Sequence, residues 1–241
     1  MNSISIDIVL PVYHGNLLVL KNNTPLLIEV LSQKLTRFEW KITISVNGPQ
    51  SDKILKLCKE LSEKFPQKID YLYTPKAGKG WGVINAWQQS NADIKTFMDV
   101  DLATNPKDIY HLVKPILLKE GDIIIGSRFL KDSTLQRSFT RFIVSTIYNH
   151  IFVRLLLNCP IRDLQCGFKA VNNTFIKEVL PLVKDREWFF ETEMLYLAYK
   201  KGLRIKEIPV EWHESKISGL HLRTAIPQFI IKTLQLCYRR S

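Results

Sequence analysis

Acidic residues are absent from two long stretches of this 241-residue chain. Ser133 to Arg162 carries four arginines, and Ser215 to Ser241 carries Lys216, Arg223, Lys232, Arg239 and Arg240. The net charge of +11 is therefore unevenly spread, and both stretches also hold large apolar residues. Such stretches suit an anionic partner. Cysteine is scarce as well. The four at positions 58, 159, 166 and 237 show neither the paired spacing of a zinc site nor a compact disulfide framework, and both classes are set aside on that ground. No secretory hydrophobic region opens the chain at Met1-Asn2-Ser3-Ile4, so a reducing, cytoplasmic setting is expected. Long apolar runs are also missing. The greasiest segment, Phe142 to Leu157, is interrupted by Asn149, His150 and Arg154 and falls short of the ~20 residues a membrane-spanning helix needs. No segment is expected to cross a membrane, and the chain holds no internal repeat or low-complexity tract.

What is present describes an ordinary globular chain, 46% hydrophobic and 24% charged, with material for one domain or one domain plus an appendage. Short β-branched runs predict strands over Ile4 to Tyr13, Lys41 to Asn47, Lys68 to Tyr73, Ile94 to Asp99 and Asp122 to Gly126. Between them, Leu26 to Leu35, Asp52 to Phe65, Gly82 to Ser90 and Pro106 to Leu118 predict helices. This alternation implies a mostly parallel central sheet with helices on both faces and ligands at the carboxyl ends of strands. A boundary is expected near Ser215 to Gly219. Beyond it Leu222, Ala225, Ile226, Phe229, Ile230, Thr233, Leu234 and Cys237 recur at helical spacing, a basic amphipathic pattern that Pro227 either breaks or starts. An anionic membrane surface suits that pattern, and so does a terminal helix docked on the core. Nucleic acid fits less well, because the charge sits beside aliphatic residues and not among stacking aromatics.

Asp99-Val100-Asp101 leaves the apolar run Ile94-Lys95-Thr96-Phe97-Met98. Alternate strand residues share a face, so the two carboxylates can converge, and hard oxygen ligands suit Mg²⁺ or Mn²⁺ carrying a diphosphate. A solvated turn capping the helix near Pro106 is the competing reading.

Further motifs follow in order: Asp7-Ile8-Val9-Leu10-Pro11-Val12-Tyr13, Gly78-Lys79-Gly80, Asp99-Val100-Asp101 and Gly126-Ser127-Arg128-Phe129. Gln136-Arg137-Ser138 with Arg141 and Asp163-Leu164-Gln165-Cys166-Gly167-Phe168-Lys169 come next. Phe190-Glu191-Thr192-Glu193, Glu207-Ile208-Pro209-Val210 and Ser215-Lys216 complete the series. With these the chain resembles the family 2 glycosyltransferases of the GT-A fold, and among them the polyprenyl-phosphate hexosyltransferases such as dolichyl-phosphate glucose and mannose synthases. The resemblance implies a GT-A domain over 1–215, with a nucleotide-sugar half at 1–105 and an acceptor half at 106–215, and a basic C-terminal segment at 216–241. It implies donor contacts from Pro11, Tyr13, Asn47, Gly48, Lys79 and Asp99, and Mg²⁺ or Mn²⁺ on Asp99 and Asp101. Arg128, Arg137, Arg141 and Lys216 would surround an acceptor phosphate, and Glu193 would organise the acceptor side by pairing with an arginine or lysine. Catalysis would rest on Asp99, Asp101, Arg128 and Glu193.

The implied reaction moves a hexose from a UDP- or GDP-sugar to a polyprenyl phosphate with inversion. The enzyme would lie peripherally on the cytoplasmic face of a membrane, with a separate membrane subunit as a further candidate partner. The chain departs from the family where His14-Gly15-Asn16 follows the first-strand tyrosine and where Val46-Asn47-Gly48-Pro49 replaces a strand end rich in aspartate. Asn47 would then read the base through its amide. A phosphate acceptor is already ionised, with a second pKa of roughly 6, and needs no general base, so neutralising Glu191 is expected to be mild. A hydroxyl acceptor would instead require Glu191 or Glu193 as base. A binding protein on a decayed transferase fold is the remaining alternative.

Overall fold

The computed structural model of the protein describes residues 3–136, 156–214 and 222–239. The five expected strands are β1 (Ser5–Val12), β2 (Glu39–Asn47), β3 (Ile69–Thr74), β4 (Ile94–Met98) and β5 (Ile123–Ser127). Four more are β6 (Thr134–Gln136), β7 (Phe168–Val171), β8 (Ile205–Pro209) and β9 (Glu211–His213). A seven-stranded sheet takes the order β3-β2-β1-β4-β7-β5-β8, and β6 pairs with β9 in a separate ribbon. Every pairing in the large sheet is parallel except those of β7, which runs antiparallel between β4 and β5. The parallel strands thus end along one edge, and β7 starts at that edge.

Alternation along the central strands builds a core on each face. On one side Ile8, Leu10, Ile42 and Ile44 meet Leu27, Leu57 and Leu112 of α1 (Leu17–Lys34), α2 (Asp52–Lys64) and α4 (Ile109–Leu117). On the other side Val9, Phe97 and Ile125 meet Trp87, Phe175, Leu195 and Phe229. Those come from α3 (Lys79–Gln89), α5 (Asn173–Glu178), α6 (Phe190–Lys200) and α7 (Leu222–Tyr238). Strands buried on both faces read as nearly continuous apolar runs, which is why β1 and β2 stood out in the sequence.

Three expectations need correction. Helix α1 begins at Leu17 and carries Pro25 inside it, although an interior proline costs about 3 kcal/mol. Burial of Leu20, Leu27 and Leu31 supplies apolar contact worth more than that. Pro227 likewise lies within α7 and neither starts nor ends it. Finally, α7 docks through Phe229, Thr233 and Leu236, while Leu234, placed on its apolar face by the sequence pattern, is exposed. The boundary near Ser215 to Gly219 lies outside the described residues, and no helix among the described ones is long and apolar enough to cross a membrane.

Phe168 is fully buried in β7, opposite Met98 of β4. Phe168→Ala is expected to cost about 3–5 kcal/mol through the cavity it leaves, seen as a lower urea midpoint at unchanged slope.

Candidate active site

Asp99 follows the last residue of β4, and the antiparallel register sets it against Gly167, just ahead of β7. The Asp99 amide donates to the Gly167 carbonyl at 3.1 Å. A Cβ at position 167 would overlap the Asp99 carboxylate, so only glycine leaves room for that side chain. Lys79, the first residue of α3, places its Nζ 2.7 Å from Asp99 Oδ1 and 2.8 Å from Glu191 Oε1. The other oxygen of Glu191 accepts from Lys169 of β7, whose ammonium also donates to the Cys166 carbonyl. Lys79, Lys169 and Glu191 are all buried, and the rings of Phe97 and Trp188 lie 5.1 and 5.4 Å from the Lys79 ammonium.

A row of alternating charge, Asp99, Lys79, Glu191 and Lys169, therefore runs from the strand edge into the interior. Burial by itself would raise the Glu191 carboxyl, but the ammonium groups of Lys169 and Lys79 outweigh it and hold that carboxyl below its usual value. Burial would likewise lower Lys79, and Asp99 with Glu191 pushes it up instead. Both groups stay charged.

Beside this row, Arg128 follows β5 and grips Asp163. Its Nε donates to Oδ2 at 2.7 Å, Nη2 to Oδ1 at 2.9 Å and its backbone amide to Oδ2 at 2.9 Å. Burial opposes the Asp163 charge, yet Arg128 holds the carboxyl below the ordinary range. The guanidinium lies 5.5 Å from the Trp212 ring. Glu207 of β8 accepts from the amides of Arg162 and Asp163 at 3.1 and 3.2 Å, fixing the loop that presents Asp163. Arg128 thus pairs across 35 residues and not with the acids nearer to it in sequence, Asp122 and Asp132. Asp122 pairs with Arg204.

Asp101 lies one residue beyond Val100, and its Oδ1 accepts from the Ala103 amide at 3.1 Å. Here three carboxylates (Asp99, Glu191, Asp163) pair with three cations (Lys79, Lys169, Arg128), and Asp101 adds a fourth carboxylate beside Asp99. The excess of hard, anionic oxygen at Asp99 and Asp101 fits a divalent cation. Among the described residues no third His, Cys, Asp or Glu joins them in a metal-binding group, so water or substrate oxygens would complete any coordination.

The remaining expected residues divide. Tyr13 and Gly48 meet at the ends of β1 and β2, where a Cβ on Gly48, at φ +99°, would stand 3.5 Å from the tyrosine ring. Pro11 is buried within β1. Asn47 needs correction as a base reader: it is buried, its Nδ2 donates to the Val12 carbonyl at 3.1 Å and its Oδ1 accepts from the Gly78 amide at 3.2 Å. The amide ties the Gly78 turn to the sheet. Arg128 needs correction as a free phosphate fork, because Asp163 takes Nε and Nη2 and leaves Nη1 as the nitrogen it does not engage. Glu193 pairs with Arg239 and accepts from the amides of Lys184 and Asp185 at 2.9 and 2.6 Å. Arg137, Arg141 and Lys216 lie outside the described residues. Lys169 and Asp163 were given no role from sequence, although a charge inside a motif ending in an apolar strand was the available signal.

A mostly parallel sheet with paired aspartates and a buried lysine at its carboxyl edge defines a GT-A-like glycosyltransferase. A model of "Glycosyl transferase family 2" matches residues 7–180, and the chain belongs to that family. It is 29% identical over 209 residues to "Glycosyltransferase AglD" of Haloferax volcanii, covering 87% of this chain and 33% of that protein. It is 35% identical over 192 residues to "Dolichyl-phosphate beta-glucosyltransferase" of Dictyostelium discoideum, covering 76% and 58%. This chain thus spans a third to somewhat over half of the length of these two relatives. A glucosyl-3-phosphoglycerate synthase from Mycobacterium tuberculosis, solved with Mn²⁺, UDP and phosphoglyceric acid, superposes at a TM-score of 0.71. Its identity is 14%, and the match covers 99% of this chain and 80% of that one.

Two outcomes follow from the buried charges. Glu191→Gln, expected from sequence to be mild for transfer to a phosphate, removes the shared counter-ion of two buried lysines and is expected to cost roughly 3–5 kcal/mol of stability, measured by urea denaturation. Arg128→Met is expected to cost a similar amount at pH 7, about 3–5 kcal/mol, because it leaves Asp163 buried and unpaired. In the wild type the depressed Asp163 pKa contributes stability that is present above the unfolded value and lost only as pH falls through the folded one. In the variant, burial raises that pKa, so the deficit is greatest near neutral pH and shrinks towards pH ~4, close to the unfolded value. A deficit that grows on acidification would contradict the pairing.

Proposed function

We propose that the chain transfers a hexose, with inversion, from a nucleoside diphosphate sugar to a polyprenyl phosphate at the cytoplasmic face of a membrane. The carrying observation is the state of the two carboxylates suited to general-base work. Glu191 is buried with both oxygens on lysines, and Glu193 is buried with its oxygens on Arg239 and two backbone amides. Neither is placed to take a proton from an acceptor, which supports an acceptor that arrives ionised. The names of the relatives agree: three are the Dictyostelium discoideum enzyme, a dolichyl-phosphate beta-glucosyltransferase of Saccharomyces cerevisiae and a polyprenol monophosphomannose synthase of Mycolicibacterium smegmatis. A UDP-hexose is the donor we favour, because the structural neighbour carries UDP with Mn²⁺.

The mechanism follows from charge. Asp99 and Asp101 would hold Mg²⁺ or Mn²⁺, which when bound supplies Lewis-acid stabilisation of the leaving diphosphate. Lys79 adds a fixed ammonium at the same edge, and Glu191 keeps it charged and oriented without solvent reorganisation. The Phe97 and Trp188 rings shield it from water, which strengthens its field. Arg128, held by Asp163 against Trp212, offers Nη1 towards an anionic acceptor. Attack by a phosphate oxygen on the face opposite the diphosphate inverts the anomeric carbon. Peripheral attachment is supported by exposed Ile231, Leu234 and Tyr238 on α7, an apolar face of the kind that settles into a lipid interface. A separate membrane subunit would fit that same face.

The test offers the purified chain a panel of labelled nucleotide sugars with polyprenyl phosphate or with free polyprenol, with and without EDTA, followed by lipid extraction. The expected result is transfer to the phosphate alone, abolished by EDTA and by Asp101→Asn, and falling in acid as the acceptor protonates near its second pKa of roughly 6. Efficient glycosylation of the free alcohol would move the chain to the hydroxyl-directed transferases.

A further inference from the structure

The loop between α5 and α6 connects the C-terminal helix to the site lysine. At its near end, the Gly80 amide donates to the Glu187 carbonyl at 3.2 Å and the Trp81 amide to the Arg186 carbonyl at 3.0 Å. These bonds take up two donors at the start of α3, the helix that Lys79 opens. The contact is tight: a Cβ at Gly78, whose φ is +137°, or at Gly80 would run into the Arg186 backbone. The two glycines flanking Lys79 therefore serve the approach of this loop.

At its far end the loop is held by α7. Lys232 Nζ lies 2.6 Å from Asp185 Oδ2 and 3.1 Å from Glu187 Oε2. Arg239 pairs with Glu193, whose other oxygen accepts from the Lys184 and Asp185 amides. Arg239 also donates to the Leu182 carbonyl. Two basic residues of the acid-free C-terminal stretch thus bracket the loop, each paired with acidic side chains of the protein.

We infer that Lys232 and Arg239 are positioning residues for Lys79: by fastening the 184–187 loop onto the Gly78-Lys79-Gly80 turn, α7 sets the ammonium beside Asp99. Helix α7 is then a working part of the donor site, and an event that shifts α7 changes affinity for a nucleoside diphosphate. The second half of that statement rests on the donor reading above, and the first half does not.

Hydrogen exchange and nucleotide binding on the full chain separate the two. Lys232→Met is expected to speed exchange of the Gly80 and Trp81 amides, with α2 amides unchanged. It is also expected to weaken binding of UDP with Mn²⁺ by about tenfold, within the range usual for coupled sites. Lys232→Arg should restore both, since the ion pairs survive. If Lys232→Met does not fold, Asp185→Asn removes the partner charge and should give the same selective exchange. Unchanged exchange at Gly80 and Trp81 in a folded variant overturns the inference. If wild-type protein binds no nucleoside diphosphate, the donor reading fails while the exchange measurement still decides whether α7 positions Lys79.

Discussion

Everything at the carboxyl edge of this sheet depends on holding a lysine ammonium between two carboxylates where water is scarce. Lys79 has Asp99 on one side and Glu191 on the other. A buried charge survives only when paired and hydrogen-bonded, and here the row is completed by Lys169, so that each carboxylate or ammonium inside has an opposite neighbour. In the proposed reaction, fixed charge of this kind would stabilise a leaving diphosphate without reorientation during the reaction.

The fold supplies that row through one irregularity in its sheet. Strand β7 enters antiparallel between β4 and β5, and its first residues therefore lie at the edge where the parallel strands end. Gly167 faces Asp99 there, and Lys169 reaches inward beside Phe97 to meet Glu191. A parallel strand at the same place would present its opposite end. The Arg128 and Asp163 pair stands next to this, with Glu207 of the edge strand β8 bonding the backbone that carries Asp163. The two charged groups are linked through the segment from Asp163 to Lys169, whose Gln165 also bonds Thr192 of α6 at 2.7 Å.

The C-terminal basic residues take on a different meaning in this setting. Lys232 and Arg239 answer acids in the loop and at the start of α6, while the side of α7 that points outward carries Pro227, Gln228, Ile231, Leu234, Gln235 and Tyr238, none of them charged. From Pro227 to Tyr238 the outward side of this helix is thus uncharged and largely apolar.

The alternation of short apolar runs with amphipathic segments determined the five parallel strands, because a strand covered on both faces must be apolar almost throughout. It also placed Asp99 and Asp101 at a strand end, and the ordered motifs carried the family. Local pattern did not yield the start of α1, where burial of Leu20, Leu27 and Leu31 overrides Pro25, nor the burial face of α7, where the core takes Phe229, Thr233 and Leu236. Nor could it yield the site's partners. Lys79 and Glu191 are 112 residues apart, and Arg128 and Asp163 are 35 apart. Which charges pair depends on which strands lie side by side, and only the tertiary structure decided that, because long-range pairing leaves no periodicity in the chain.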